Sequence, residues 1–89
     1  MATVNEKSDH DIAEDMVSIA LGHARIAFAK QPAEREAYLQ QCRRNWQADA
    51  FAASGNQAGS KRYAEDLDRA TRKLLLAMLI GGTHPAGNA

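Results

Sequence analysis

LLLAMLIGG, residues 74–82, runs seven apolar side chains into a pair of glycines near the end of an otherwise mixed chain. A membrane-spanning helix needs about 20 consecutive apolar residues. This run has seven, with Arg72 and Lys73 directly before it, so it reads as the end of a helix that has lost its polar face. Upstream, Tyr63, Leu67, Ala70, Leu74 and Met78 repeat at gaps of 4, 3, 4 and 4 residues, which stacks them along one buried stripe. Away from that stripe, Glu65 with Arg69 and Asp68 with Arg72 form i,i+4 pairs in the stabilising order. Past Lys73 the charges stop, and Leu75, Leu76, Leu79 and Ile80 fill the sides that carried them one turn earlier. Gly81 and Gly82 end the helix. The spacing predicts helix three over 60–80, with Ser60 as N-cap, "SGNQAGSK" (54–61) as a flexible loop before it, and 81–89 as a tail.

The rest of the chain repeats the helical pattern. Alanine is abundant, β-branched and aromatic residues are scarce, and Pro32 and Pro85 are the only prolines, a composition that favours helix over strand. Helix one is predicted over 9–30, with Ser8 or Asp9 as N-cap and acidic residues in the first turn, where the helix dipole favours them. Ile12, Met16, Ile19, His23 and Ile26 form one stripe; Val17, Leu21, Ala24 and Phe28 form a second on a nearly opposite face. Between the two run Ala13, Ala20 and Ala27, small enough to let another helix come close. The apolar arc spans about 220°, roughly twice what a helix on a small surface needs. Helix two is predicted over 33–53: Pro32 suits a first turn, and Leu39, Cys42, Trp46, Ala50 and Ala53 share a stripe that ends at Gly55. With only Gln31 and Pro32 between them, helices one and two are read either as separate or as one helix kinked at Pro32. The expected fold is all-α, a three-helix bundle or kinked helical hairpin, with residues 1–8 as an acidic arm and 9–80 as the single domain.

Eleven acidic and eleven basic residues cancel, which removes the overall positive field of a free-standing nucleic-acid binder. Residues 1–15 hold five carboxylates against Lys7, a net of −4, so the remainder is +4. Cys42 is the single cysteine and forms no internal disulfide, which suits a reducing compartment. The opening MATVNEKSDHD has no basic stretch followed by an apolar run, so no secretory signal is expected. A cytoplasmic, bacterial protein is the expectation, with no membrane association.

Chemistry-bearing residues are few. His10 and Glu14 stand at i,i+4, but two ligands on one helix fall short of a metal site. His23 lies among isoleucines, as a hydrogen-bonded core or interface histidine does. Cys42 shares its face with Trp46 and reads as packing, because a nucleophilic thiol needs a positive, partly exposed setting with a base in reach. No phosphate-binding glycine loop and no serine-centred elbow occurs. No catalytic residue, no cofactor and no metal ligand is therefore assigned, and the chain is not expected to be an enzyme. Helix three does carry Arg62, Arg69, Arg72 and Lys73 as a candidate phosphate-contacting set, although Glu65, Asp66 and Asp68 interleave with them.

"MVSIA" (16–20), "AFAKQP" (27–32) and "RRNW" (43–46), taken in order, resemble the small delta subunit of multisubunit formate dehydrogenases across about half of the chain. Where that family has an Asp-Pro-Arg-Met-type run after the tryptophan, this chain has "QADAF" (47–51). The resemblance implies an accessory, non-catalytic subunit of an oxidoreductase and assigns no functional residue. The residues themselves point to a non-catalytic protein-interaction module. Helix one and the end of helix three own more apolar flank than three short helices can cover, which predicts self-association, as a homodimer or higher oligomer, and contact with another protein. Ile19, His23, Ile26, Phe28, Leu75, Leu76 and Leu79 are the expected interface residues.

Overall fold

The computed structural model describes the backbone of residues 9–81 and the side-chain surroundings of residues 14–81. The expected arm at 1–8 and the tail beyond Gly81 lie outside the described residues, as does the side chain of His10. Three helices follow one another: α1 (Asp9–Ala29), α2 (Pro32–Ser54) and α3 (Gln57–Gly81). α3 packs along both α1 and α2, while the backbones of α1 and α2 come close at only a few positions. The result is a three-helix bundle organised around α3.

Both connections are two residues long, and each is fixed by local chemistry. Before Pro32, Gln31 is extended (φ −61°, ψ 143°), as the proline ring requires of the residue ahead of it. That break separates α1 from α2 and removes the single kinked helix. Arg35 then reaches back from α2 to donate to two carbonyls at the α1 C-terminus, Nε to Ala27 O at 2.9 Å and Nη2 to Phe28 O at 3.0 Å. One guanidinium thus satisfies acceptors that the helix leaves open and places positive charge at its negative end.

The second connection differs from the sequence expectation. Only Gly55 and Asn56 lie between helices, so the loop predicted over 54–61 is mostly helical and α3 begins three residues early, at Gln57. Gly55 takes the left-handed conformation (φ 68°) and donates its N–H to Phe51 O at 2.7 Å. Asn56, not Ser60, is the N-cap: its Oδ1 accepts the Gly59 N–H at 2.9 Å. Ser60 sits in the first turn, buried, with its hydroxyl donating to Asn56 O at 2.6 Å. A serine and an asparagine four residues apart both suit a cap, and tertiary burial of Ser60 decides between them.

The core is small-residue packing on one side and large-residue packing on the other. Ala20, Ala24 and Ala27 of α1 are fully buried. Ala20 shares a cluster with Cys42 and Trp46 of α2 and Ala64 and Leu67 of α3, while Ala24 and Ala27 meet Leu39 and Leu75. On α3 the buried line is Ala64, Leu67, Asp68, Thr71 and Leu75, turned toward α2 from the stripe read in the sequence; Tyr63, Ala70, Leu74 and Met78 flank it, half-buried. Polar Asp68 and Thr71 hid that face from a hydrophobicity pattern. Thr71 tolerates burial because its hydroxyl donates to Leu67 O at 2.7 Å.

The alanine line sets the α1–α3 spacing. Ala24→Leu forces three extra carbons into a filled seam and is expected to lower unfolding free energy by about 1–3 kcal/mol. Ala37→Leu, on the exposed side of α2, is expected to change it by less than about 0.5 kcal/mol. Urea titration followed by helix dichroism measures both.

Candidate functional site

α1 turns its small side chains inward and its large ones to the flanks. With Ala20, Ala24 and Ala27 pointing at the core, helical geometry throws Ile19 and Ile26 to one side and Val17 and Phe28 to the other. Ile19 is 36% exposed, Ile26 47% and Phe28 41%. Val17, Leu76 and Ile80 are exposed by more than half, and Phe51 stands out near the end of α2. Of the interface residues expected from sequence, Ile19, Ile26, Phe28 and Leu76 are therefore on the surface. Leu75 is not: at 7% exposure it closes the chain's own core against Ala24, Ala27 and Leu39, with Leu79 half-buried beside it. The roll of α3 toward α2 carries Leu75 inward along with Asp68 and Thr71.

Two open grooves accompany these flanks. One, of about 370 Å³, is lined by Ile19, Trp46, Asp49, Ala50 and Tyr63. The other, of about 300 Å³, runs between α2 and the end of α3, with Pro32, Leu39, Leu75, Leu76 and Leu79 as its apolar lining and Arg35, Glu36 and Arg72 beside them. The apolar C-terminal run of α3 thus closes the core on one side and lines a surface groove on the other.

His23 and Cys42, read separately in the sequence, meet. His23 Nδ1 shares a 2.7 Å hydrogen bond with the Tyr38 hydroxyl, and Cys42 Sγ lies 3.5 Å from the same nitrogen. The Trp46 ring meets the imidazole edge-on, with centroids 5.2 Å apart. Burial, then hydrogen bonding to Cys42, pushes the Tyr38 hydroxyl up to about 12, so it stays protonated. The thiol-to-imidazole distance resembles that of an activated cysteine, yet Cys42 is buried and Tyr38 occupies the nitrogen that would serve as base. These side chains tie α1 to α2. No periodicity within one helix reveals such a contact, because it depends on the register between two; the i,i+4 spacing of Tyr38 and Cys42 on the α1-facing side was the only signal present.

The basic residues of α3 divide. Arg72 is held from two directions: its guanidinium donates to both Glu36 oxygens of α2 at 2.7 and 2.9 Å, and through Nε to Asp68 at 3.0 and 3.1 Å. Arg69 pairs with Asp66 at 3.0 Å, while Glu65 reaches Arg43 of α2 at 3.3 Å instead of Arg69. Arg62, Arg69 and Lys73 share the outward face of α3, at gaps of 7 and 4 residues, and Arg72 faces α2. Among the described residues no three His, Cys, Asp or Glu side chains cluster as a metal site, and no helix is long and apolar enough to cross a membrane.

No protein-family model, curated protein or solved structure matches the chain. What the surface does must be read from its own residues.

The Arg72 hydrogen bonds, with a further one from Gln40, hold the Glu36 carboxyl at about 2, well below its ordinary 4.5. A group depressed in the folded chain contributes stability above its unfolded value and loses it as protons return. The urea midpoint is therefore expected to fall between pH 4.5 and pH 2, modestly because Glu36 is largely exposed. Glu36→Gln should flatten that part of the profile. Cys42, for its part, is expected to resist a thiol-specific reagent in native buffer and to react only as the chain unfolds; Tyr38→Phe, which deletes the 2.7 Å bond, should speed the reaction. Absorbance of the released chromophore follows it.

Proposed function

We propose that this protein is a small, non-catalytic helical interaction module that works as a homo-oligomer and serves as a regulator or accessory subunit. The observation that carries the reading is the placement of the apolar side chains of α1 and α3. Alanines fill the seam, and Val17, Ile19, Ile26, Phe28, Leu76 and Ile80 are left at the surface. Each large side chain covered by a partner gains on the order of 1–2 kcal/mol at about 25 cal/mol per Å², so a handful of them sustains association in the micromolar range.

The polar chemistry supports the same conclusion. The one thiol–imidazole pair is spent as a clip between α1 and α2, and the best-positioned arginine, Arg72, is spent as a strut between α2 and α3. The nucleic-acid alternative retains Arg62, Arg69 and Lys73 on one face of α3, with Arg69 partly neutralised by Asp66. It predicts salt-dependent binding to a mixed DNA pool that disappears in Arg69→Glu/Lys73→Glu.

Light scattering coupled to size exclusion, run at rising micromolar concentration, is expected to give a multiple of the 9.7 kDa chain mass. A single-chain mass at every concentration overturns the reading.

A further inference from the structure

Along the outward side of α1, Asp15, Ile19, Gly22 and Ile26 follow one another at gaps of 4, 3 and 4 residues, and Lys30, the first residue past the helix, follows at a further 4. At about 100° per residue they stay within a strip of roughly 80° that points away from the alanine line. Ile19 and Ile26 are its exposed apolar members. Acid marks one end, where Asp49 of α2 shares a groove with Ile19. Base marks the other, where the Lys30 ammonium stands 5.1 Å above the Tyr38 ring.

Gly22, in the middle of this strip, is the informative residue. A glycine inside a helix is destabilising relative to alanine. Nothing among the described residues requires it here, because a Cβ added at Gly22 would meet none of their atoms within 4 Å. A missing side chain on an exposed helix face, between two exposed isoleucines, lets a second backbone approach closely.

The strip is also symmetric about its own midpoint. Positions 15 and 30, 19 and 26, and 22 and 23 are each equidistant from the point between Gly22 and His23. A helix laid antiparallel on this one about a two-fold axis there sets Ile19 against Ile26, brings the bare Gly22 backbone to the axis, and places Asp15 opposite Lys30 at both ends. A parallel pairing would set Asp15 against Asp15. We infer that the occupant of this ridge is α1 of a second copy of the chain, packed antiparallel about a two-fold axis between Gly22 and His23. The inference rests on the homo-oligomer reading and names its interface. The isoleucines and the close approach at Gly22 supply the affinity; the end charges, exposed and screened, set the direction.

Sedimentation velocity on the full chain and three variants tests it, with dichroism confirming that each is helical. Gly22→Leu has room inside the chain and gains helix propensity, so it is expected to stay folded and yet sediment as a monomer. Asp15→Lys is expected to raise the dimer dissociation constant about tenfold, since two symmetric attractions become repulsions. Asp15→Lys/Lys30→Glu is expected to recover most of that loss. A dimer indifferent to Gly22→Leu overturns this interface while leaving the homo-oligomer reading in place. A dimer lost in Gly22→Leu, together with an Asp15→Lys loss that the charge exchange does not recover, overturns the antiparallel direction. A monomeric parent chain overturns both.

Discussion

The approach of α1 to α3 through Ala20, Ala24 and Ala27 is the constraint on which the rest of the molecule depends. Three fully buried alanines let the helices close to a short separation, and that closeness gives Leu67 and Leu75 tight contacts along α3. The same choice has a consequence outside the core. A helix that spends its inward face on alanine must carry its isoleucines, valine and phenylalanine on the flanks, and the two other helices among the described residues lack the bulk to cover both flanks at once. The exposed apolar surface is therefore built into the packing.

Polar contacts supply what alanine packing lacks, which is register. Methyl groups slide past one another with little preference, whereas the two parallel hydrogen bonds from Arg72 to Glu36 and the Arg43–Glu65 pair fit only one offset of α2 against α3. Between α1 and α2, where backbones approach at few points, Arg35 on the α1 carbonyls and His23 with Tyr38 do the same work. These bonds are individually weak in water, and their value is directional: each is lost on a shift of one residue. Arrangements that would bury the apolar flanks by sliding the helices are disfavoured for that reason.

The three helices and their order were legible in the sequence, because the apolar spacing of each is regular and Pro32 and Gly55 mark the breaks. The close alanine line was legible too, at Ala20 and Ala27. What was hidden follows from competition between equal local signals. Asn56 and Ser60 are both good caps, and only the burial of Ser60 chooses. The stripe through Tyr63, Leu74 and Met78 is more hydrophobic than the line through Asp68, Thr71 and Leu75, yet the second is buried, because Arg72 and a backbone carbonyl satisfy its polar groups. Leu75 passed for a surface anchor on the same grounds. The His23–Tyr38–Cys42 contact needed the register of two helices, which no single helix encodes.

The flanks of α1 differ in a way that bears on what a closed pair would leave open. The Ile19–Ile26 side is self-complementary: a two-fold axis consumes it completely, and an isologous contact of that kind ends growth at two chains. The Val17–Phe28 side is spaced about the same point but has no glycine in its middle, and it lies across the alanine line, so the proposed pairing does not cover it. Neither can it cover Leu76 and Ile80, which lie at the far end of α3. Dimerisation through one flank would thus present two copies of the other, fixed in relative position by the axis. A partner able to contact both would gain from their linkage without any further change in either chain, since the second contact forms at high effective concentration. In that arrangement the dimer would be the means and the remaining apolar flank the working surface offered to a larger partner, with the thiol–imidazole pair holding α1 to α2 beneath it.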